Sequence, residues 1–251
     1  RISKGGYEGG KEAMQHDYGR EKTVRPLPGG SGFLYSITDG GGDYEIKIWD
    51  PRVKEYNPGE PPKKLSWQMD AEYKRMLANW KERHEVYKKY FERSPGQLVG
   101  KLDVEAAEFP MKGAVQVSTI TVDEDYRGLG IAKALYGIVL SILKLPLTAG
   151  SRQTPGGARN WLSLVNIPGV DVKGFVQIDV DEIDNDDDEL HDMIMQLGGQ
   201  FISKDEYSEY WAFDVVPGTG ELKPAIKNKL SELYDDYGVA QTGLIAYWRG
   251  Q

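Results

Sequence analysis

The chain has 251 residues, of which 39% are hydrophobic and 28% charged, and its formal net charge is −8. This length is sufficient for one domain with a large core. The lack of cysteine excludes disulfide scaffolds, thiolate metal sites and a cysteine nucleophile, and three histidines are too few for a His-rich metal cage. No apolar run reaches the ~18 residues of a membrane span. We therefore expect a soluble, cytoplasmic protein without membrane contact.

The negative charge is concentrated in one segment. Nine acidic residues and no Lys or Arg lie between Asp179 and Asp192, so the rest of the chain is nearly neutral. Because duplex binding requires a basic stripe, we expect no nucleic-acid partner. An EF-hand loop starting at Asp184 would need Gly and Glu where Glu189 and Met195 stand. The segment is therefore predicted to be a solvated, exposed loop without bound metal.

Periodicity and turn residues predict the elements in chain order. Residues 1–31 mix Gly, Lys, Arg and Pro without apolar periodicity and predict a flexible arm. Strands are predicted at 33–38, 44–49, 98–109, 114–122, 145–149, 175–180, 200–203 and 210–216, with an edge strand at 243–248. Helices are predicted at 66–93, 129–144, 157–165, 189–197 and 222–237, the last capped by Gly238.

The order of these elements indicates a mixed α/β fold. Strand, glycine-bearing turn, helix and strand follow one another over residues 114–149, which is a βαβ crossover. The main domain is predicted at residues 32–216, after the arm and before a helix-strand extension at 217–251. Because the chain begins with Arg1 and not Met, it is expected to be a processed product, a trimmed form or part of a longer protein.

The most informative stretch runs from Ile120 to Lys133, after a predicted strand and into a helix. It reads Ile-Thr-Val-Asp-Glu-Asp-Tyr-Arg-Gly-Leu-Gly-Ile-Ala-Lys and contains Arg-x-x-Gly-x-Ala at Arg127, Gly130 and Ala132. Such a turn aligns free backbone N–H groups at a helix N-terminus, which suits phosphate. The chain has no P-loop, and its dinucleotide fingerprint is incomplete. A plain tight turn from strand to helix remains the alternative.

This stretch resembles the acetyl-CoA-binding motif of the GNAT superfamily of N-acetyltransferases, and the order of elements from Leu98 to Val216 resembles that fold. Residues 151–162 also resemble phage-encoded members. The resemblance implies a GNAT-like mixed central sheet flanked by helices. It implies that the chain binds acetyl-CoA as cosubstrate and acetylates an amine-bearing small molecule or protein. The implied cosubstrate-binding residues are Ile120, Thr121, Val122, Arg127, Gly128, Leu129, Gly130, Ile131, Ala132 and Lys133.

Two positions depart from the family pattern. Where members commonly have a Tyr that protonates the departing thiolate, this chain has Trp161, and where one branch has a Glu base, it has Gln116. Neither indole nor amide can do that chemistry. Ser151 or Thr154 as acid, and Glu105, Glu108 or Glu124 as proton relay, are open alternatives, so the catalytic residues stay unassigned.

These departures keep a second hypothesis open. The chain is either an acetyltransferase or a catalytically weakened GNAT-like module of a larger, virion-associated assembly, and self-association is open in both. The aromatic residues of the 66–93 helix are expected in the core or, as the alternative, on a stripe that faces a partner. His84 and His191 are expected to be structural.

Overall fold

A computed structural model of the chain describes residues 23–56, 60–108, 110–149, 155–179, 188–204, 207–216, 219–237 and 240–249. Its strands are β1 Arg25–Pro26, β2 Leu34–Asp39, β3 Tyr44–Asp50, β4 Gln97–Ala106, β5 Val115–Val122, β6 Leu147–Thr148, β7 Val170–Asp179, β8 Gln200–Lys204, β9 Ser208–Asp214 and β10 Ala240–Trp248. Its α-helices are α1 Asp70–Phe91, α2 Ile131–Gly137, α3 Pro155–Leu164, α4 Asp188–Gln196 and α5 Pro224–Tyr237. A 3₁₀ helix spans Glu124–Tyr126, and a π-helical segment, Ile138–Leu143, continues α2.

The strands follow one another in the hydrogen-bonded order β1-β2-β3-β4-β5-β6-β10-β7-β9-β8. β5 and β6 are parallel, whereas β10 is antiparallel to both β6 and β7, and β9 is antiparallel to β7 and β8. The sheet is therefore mixed, and the predicted mixed α/β class is confirmed. The predicted edge strand at 243–248 is wrong in its position, because β10 lies between β6 and β7.

The chain divides into two compact units. The first contains the described residues up to Ile37, Lys47–Lys101 and Thr121–Arg127; the second contains Thr38–Ile46, Leu102–Ile120 and the described residues from Gly128 onward. The domain boundaries predicted from the sequence, after residues 31 and 216, stay a prediction. Of the predicted arm, residues 23–31 are described: Arg25–Pro26 pair with β2, and Leu27 is buried.

In the first unit, α1 carries the aromatic stripe expected from its periodicity, but no residue of this helix is buried. The core interpretation of the stripe is therefore wrong. A 3.6-residue period predicts which side chains share a face and not how deeply that face is covered. His84 packs edge-on against Trp80 at 4.1 Å and contacts Tyr56 and Tyr87, and burial lowers its pKa. His84 thus lies within an aromatic cluster, and its purely structural role stays a prediction.

The second unit has a core between the sheet and two helices. β7, β9, α4, α5 and the segment just before α5 provide a cluster of buried apolar residues: Val176, Ile178, Leu190, Ile194, Trp211, Phe213, Leu222, Ile226 and Leu230. β7 begins at Val170, five residues before the predicted start of this strand, and its first part includes the apolar residues Val170 and Val172. The predicted Gly238 cap lies outside the described residues.

Candidate functional site

β5 and β6 form a short parallel pair that ends well before β5 does. Only Val115 with Leu147 and Gln116 with Thr148 are paired between these two strands within the described residues. The Thr148 hydroxyl donates to the Val115 carbonyl at 3.3 Å, and the next residue, Ala149, donates its N–H to Leu244 of β10 at 3.0 Å. The chain after β6 thus bonds to β10 while β5 continues to Val122. Ile120 lies on the part of β5 beyond this pairing.

Two glycines shape the entry into α2 in the second unit. Gly128 and Gly130 have φ of 80° and 78°, in the left-handed region that favours glycine. A Cβ built on either residue would have no heavy atom within 4 Å. Both glycines are therefore required by backbone conformation, and the space beside them is open. Leu129 between them is 61% exposed.

α2 begins directly after this turn. Its first intrahelical hydrogen bond runs from the Ala134 N–H to the Gly130 carbonyl at 2.9 Å. The N–H groups of Ile131, Ala132 and Lys133 precede that bond and belong to the donors that a helix start leaves without an intrahelical acceptor. Ile131 is buried and fixes the first turn of the helix. Backbone donors are therefore available at the start of α2, and their use in binding phosphate stays a prediction.

The two basic side chains of the motif are exposed and engaged locally. Arg127 Nη2 lies 3.7 Å from Glu124 Oε1 in the first unit. In the second unit, Lys133 Nζ donates to the Asn166 carbonyl at 3.3 Å. Exposed contacts of this kind contribute little energy.

The residues at the two departures from the family pattern occupy different environments. Trp161 is 2% exposed and packs on Tyr136 of α2, with ring centroids 6.0 Å apart. Burial raises the pKa of Tyr136 to about 12, so its phenol stays protonated at neutral pH. Gln116 is half-buried on β5 opposite Thr148. Trp161 thus serves as a core residue, a role that needs no acid chemistry.

The open alternatives for proton transfer receive no support from geometry. Glu105, Glu108 and Glu124 are exposed to solvent, and Glu124 has Arg127 beside it. Ser151 and Thr154 lie outside the described residues. A carboxylate on an exposed turn is most often a solvated surface group. The catalytic residues therefore remain unassigned.

Sequence reasoning missed a cluster in the first unit around Asp50. This residue ends β3, is 4% exposed, and accepts hydrogen bonds from Arg52 and from the hydroxyl of Tyr126, one residue before Arg127. The only sequence signal was Asp50-Pro51 at the end of a strand. That signal does not name Tyr126 as a partner.

The described residues contain neither a metal-binding cluster nor a helix that could span a membrane. Within these ranges no group of three or more His, Asp or Glu side chains is arranged to hold a metal ion. Most of the acidic segment, residues 180–187, lies outside them. No helix in the described part of the chain has the length and apolar character to cross a membrane.

Comparisons with known proteins add little specificity. No family model and no curated protein matches the chain. Among solved structures, apo FdhC, described as a nucleotide-linked sugar GNAT, has 13% identity and a TM-score of 0.19, with 68% of this chain and 78% of that chain covered. A ribosomal-protein-S5-alanine acetyltransferase from Vibrio fischeri has 12% identity and a TM-score of 0.19, with 75% and 99% covered. A TM-score of 0.19 does not establish a shared fold, and the assignment of the site depends on the chain's own residues.

Proposed function

We propose that the chain binds acetyl-CoA and transfers its acetyl group to an amine. The observation that supports this most is the early end of the β5–β6 pairing, which leaves the later part of β5 without a β6 partner ahead of the glycine turn. A strand edge offers N–H and C=O groups to an extended amide chain. Pantetheine has that chemistry, and a turn with forward N–H groups suits its pyrophosphate.

Each motif residue then has a role. Ile120, Thr121 and Val122 provide the strand edge for the two amides of pantetheine. The backbone N–H groups from Leu129 to Lys133 receive the pyrophosphate, with Gly128 and Gly130 keeping the approach open. The side chains of Arg127 and Lys133 add charge-assisted contacts to phosphate oxygens.

The reaction requires only one acyl transfer. The unprotonated amine nitrogen bonds to the thioester carbonyl carbon, the C–S bond breaks, and the CoA thiolate takes up the proton that the nitrogen loses. Binding both reactants in reacting geometry supplies much of the rate even without a dedicated acid. This account needs no side chain at Trp161 or Gln116 to move a proton.

Binding is tested by titrating the protein with acetyl-CoA while its thermal unfolding is followed. At 100 times the dissociation constant, a ligand that binds only the folded state adds ~2.7 kcal/mol to stability. Gly130→Val should abolish the shift, because the substitution puts methyl groups where phosphate approaches. Gly198→Val is the matched control, since Gly198 has φ of 84° and no heavy atom within 4 Å of a built Cβ. A folded parent protein with no shift at millimolar acetyl-CoA contradicts the proposal.

The second candidate is a GNAT-like module without catalysis. It is favoured by Trp161, which is buried in the core where the resemblance expected an acid. The enzyme and the module are distinguished by incubating the protein and acetyl-CoA with polyamines, aminoglycosides, amino acids and Lys-containing peptides. The CoA thiol that is released is measured with a thiol-reactive dye, and the protein has no cysteine that would react with this dye. Turnover above the Gly130→Val background, rising with pH as the amine loses its proton, supports the enzyme. Acetyl-CoA binding without turnover across the panel supports the module.

A further inference from the structure

The carboxylate of Asp50 is the centre of a polar cluster in the first unit. Arg52 approaches it with two side-chain nitrogens, Nε at 2.8 Å from Oδ1 and Nη2 at 2.9 Å from Oδ2. The Arg52 backbone N–H donates to Oδ1 at 3.0 Å, and the Tyr126 hydroxyl donates to Oδ2 at 3.0 Å. Asp50 therefore connects the end of β3 to the loop that precedes Arg127.

Apolar contacts support the same connection. The ring of Phe33 meets the ring of Tyr126 edge-on at 6.2 Å, and the Arg52 guanidinium lies over Phe33 at 4.9 Å. Burial and the Asp50 carboxylate raise the pKa of Tyr126 to about 12, so its hydroxyl remains a donor at neutral pH. Tyr126 is thus held by both its ring and its hydroxyl.

The start of the loop is fixed independently by Asp123. Its N–H donates to the Val99 carbonyl at 3.0 Å, and its carboxylate accepts the Asp125 N–H at 3.0 Å and Gln97 Nε2 at 3.3 Å. The Arg127 N–H donates to the Glu124 carbonyl at 3.2 Å. Residues 123–127 are therefore anchored at one end by Asp123 and at the other by the Asp50–Tyr126 bond.

The backbone of Asp50 is itself confined by Gly96. A Cβ at position 96 would lie 2.2 Å from the Asp50 carbonyl oxygen and 2.8 Å from Cα of Pro51. Only glycine permits this approach, and Gly96 has φ of +153°. The position of the Asp50 carboxylate thus depends on close packing that a single methyl group would disturb.

We propose that Asp50 is a positioning residue: through Tyr126 it holds residues 123–127 so that Arg127 faces the phosphates of the cosubstrate. This inference rests on the proposed function for its ligand and on the first unit's contacts for its geometry. Asp50 touches neither ligand nor reacting atoms and acts through Tyr126. Because the backbone of this loop is already held before binding, less conformational entropy is lost when Arg127 contacts the ligand.

The loop half of the proposal is tested without ligand by hydrogen exchange. Asp50→Asn and Tyr126→Phe should each raise the exchange rates of the Asp125, Tyr126 and Arg127 amides by about tenfold, which corresponds to ~1.4 kcal/mol. Tyr126→Phe removes the donor of the hydrogen bond, and Asp50→Asn replaces the charged acceptor by an amide that offers one oxygen to the donors. Asp214→Asn is the matched control, because Asp214 accepts from Lys173 and Lys223 in the second unit. Unchanged exchange of the three amides in both variants overturns the anchoring.

The ligand half is tested by a double-mutant cycle on acetyl-CoA affinity. Asp50→Asn and Arg127→Gln should each weaken binding about tenfold. If Asp50 acts through Arg127, the double variant should bind about tenfold more weakly than the parent protein and not about a hundredfold. The free-energy losses of two substitutions add only when the two residues act independently. Tyr126→Phe should show the same coupling if Asp50→Asn fails to fold.

The outcomes distinguish this inference from the proposed function. Additive losses, or normal affinity in Asp50→Asn, overturn the positioning role while acetyl-CoA binding by the parent protein stands. Absence of binding in the parent protein removes the proposed function and the phosphate half together. The exchange rates of residues 125–127 then still decide whether Asp50 anchors the loop.

Discussion

Two buried carboxylates invite comparison, Asp50 in the first unit and Glu209 in the second. Each is 4% exposed, lies on a strand, and is the acceptor for several donors. The Glu209 carboxylate accepts hydrogen bonds from Lys204 Nζ at 3.1 Å and from Trp211 Nε1 at 3.3 Å, and His191 Nε2 lies 2.8 Å from it. His191, predicted as structural, is part of this cluster and stacks on Trp211 with ring centroids 5.6 Å apart.

The two clusters differ in what their donors belong to. The donors to Glu209 come from β8, β9 and α4, the elements around the buried core of the second unit. One donor to Asp50 comes from a loop next to the predicted cosubstrate contacts. Satisfied hydrogen bonds are therefore no guide to function by themselves, because buried carboxylates are satisfied almost everywhere. The elements that a carboxylate connects distinguish a core role from a positioning role.

The largest effect is expected for Glu209→Ala. It leaves the nitrogens of buried Trp211 and half-buried His191 without their acceptor and should lower the free energy of unfolding by about 3–5 kcal/mol in urea denaturation. Acetyl-CoA affinity of the folded fraction should stay that of the parent protein. A weakened affinity at unchanged unfolding free energy would reverse the roles assigned to the two clusters.

Gly96→Ala should be the next most damaging change. The added methyl would collide with the Asp50 carbonyl, so a loss of about 3 kcal/mol in unfolding free energy is expected. Gly41→Ala is the matched control, since Gly41 has φ of +90° and open space at its Cβ. It should cost only the ~1–2 kcal/mol of a left-handed alanine. Equal losses in the two variants would mean that packing on Asp50 adds nothing.

Acid should weaken both clusters. Hydrogen bonds from Arg52 hold the pKa of Asp50 below its usual range. Burial alone would raise the pKa of Glu209, but hydrogen bonds from Lys204 and His191 bring it below its usual range. A carboxyl whose pKa is lowered by folding stabilises above its unfolded pKa of ~4 and loses that contribution as pH falls through its folded pKa.

The corresponding measurement is the free energy of unfolding from pH 7 to pH 3. Asp50→Asn and Glu209→Gln should each be less sensitive to acid than the parent protein, because each lacks one carboxyl that must take up a proton. The gap between variant and parent should narrow as pH falls below ~4. A gap that stays constant with pH would show that the missing carboxylate is not the cause.

The smallest effect is expected for an ion pair outside both clusters. Lys63 and Glu60 are 81% and 80% exposed, with Nζ 2.7 Å from Oε2. Glu60→Gln should change the free energy of unfolding by less than ~0.5 kcal/mol, since solvent screens such pairs. A larger loss would mean that surface charge, and not the buried clusters, dominates the electrostatic stability.

Local features of the fold were predictable from sequence. The strand, glycine turn and helix between residues 114 and 144 follow from β-branched residues, two glycines and an apolar period, and the structure has all three. Ser94-Pro95-Gly96 predicted the end of the long helix, and α1 ends at Phe91. The start of β7 was missed because the charged residues Asp171 and Lys173 interrupt the apolar run. In the structure the carboxylate of Asp171 and the ammonium group of Lys173 lie close to one another, so both charges are accommodated within the strand.

Long-range features were not predictable. The period of α1 predicted its aromatic face but not that this face has no buried residue. In the site, the glycine motif could be found from spacing, whereas the bond between Asp50 and Tyr126 joins residues far apart in the chain. No local propensity encodes such a pairing, because it depends on which strand ends meet after folding.

The position of β10 has a consequence for synthesis on the ribosome. Its residues pair with β6 on one side and β7 on the other, both of which are translated much earlier. Until residues 240–248 leave the exit tunnel, β6 and β7 have open edges that other chains can join. The second unit therefore completes its sheet only after β10 is available, and a nascent chain stalled before Ala240 should be a substrate for chaperones.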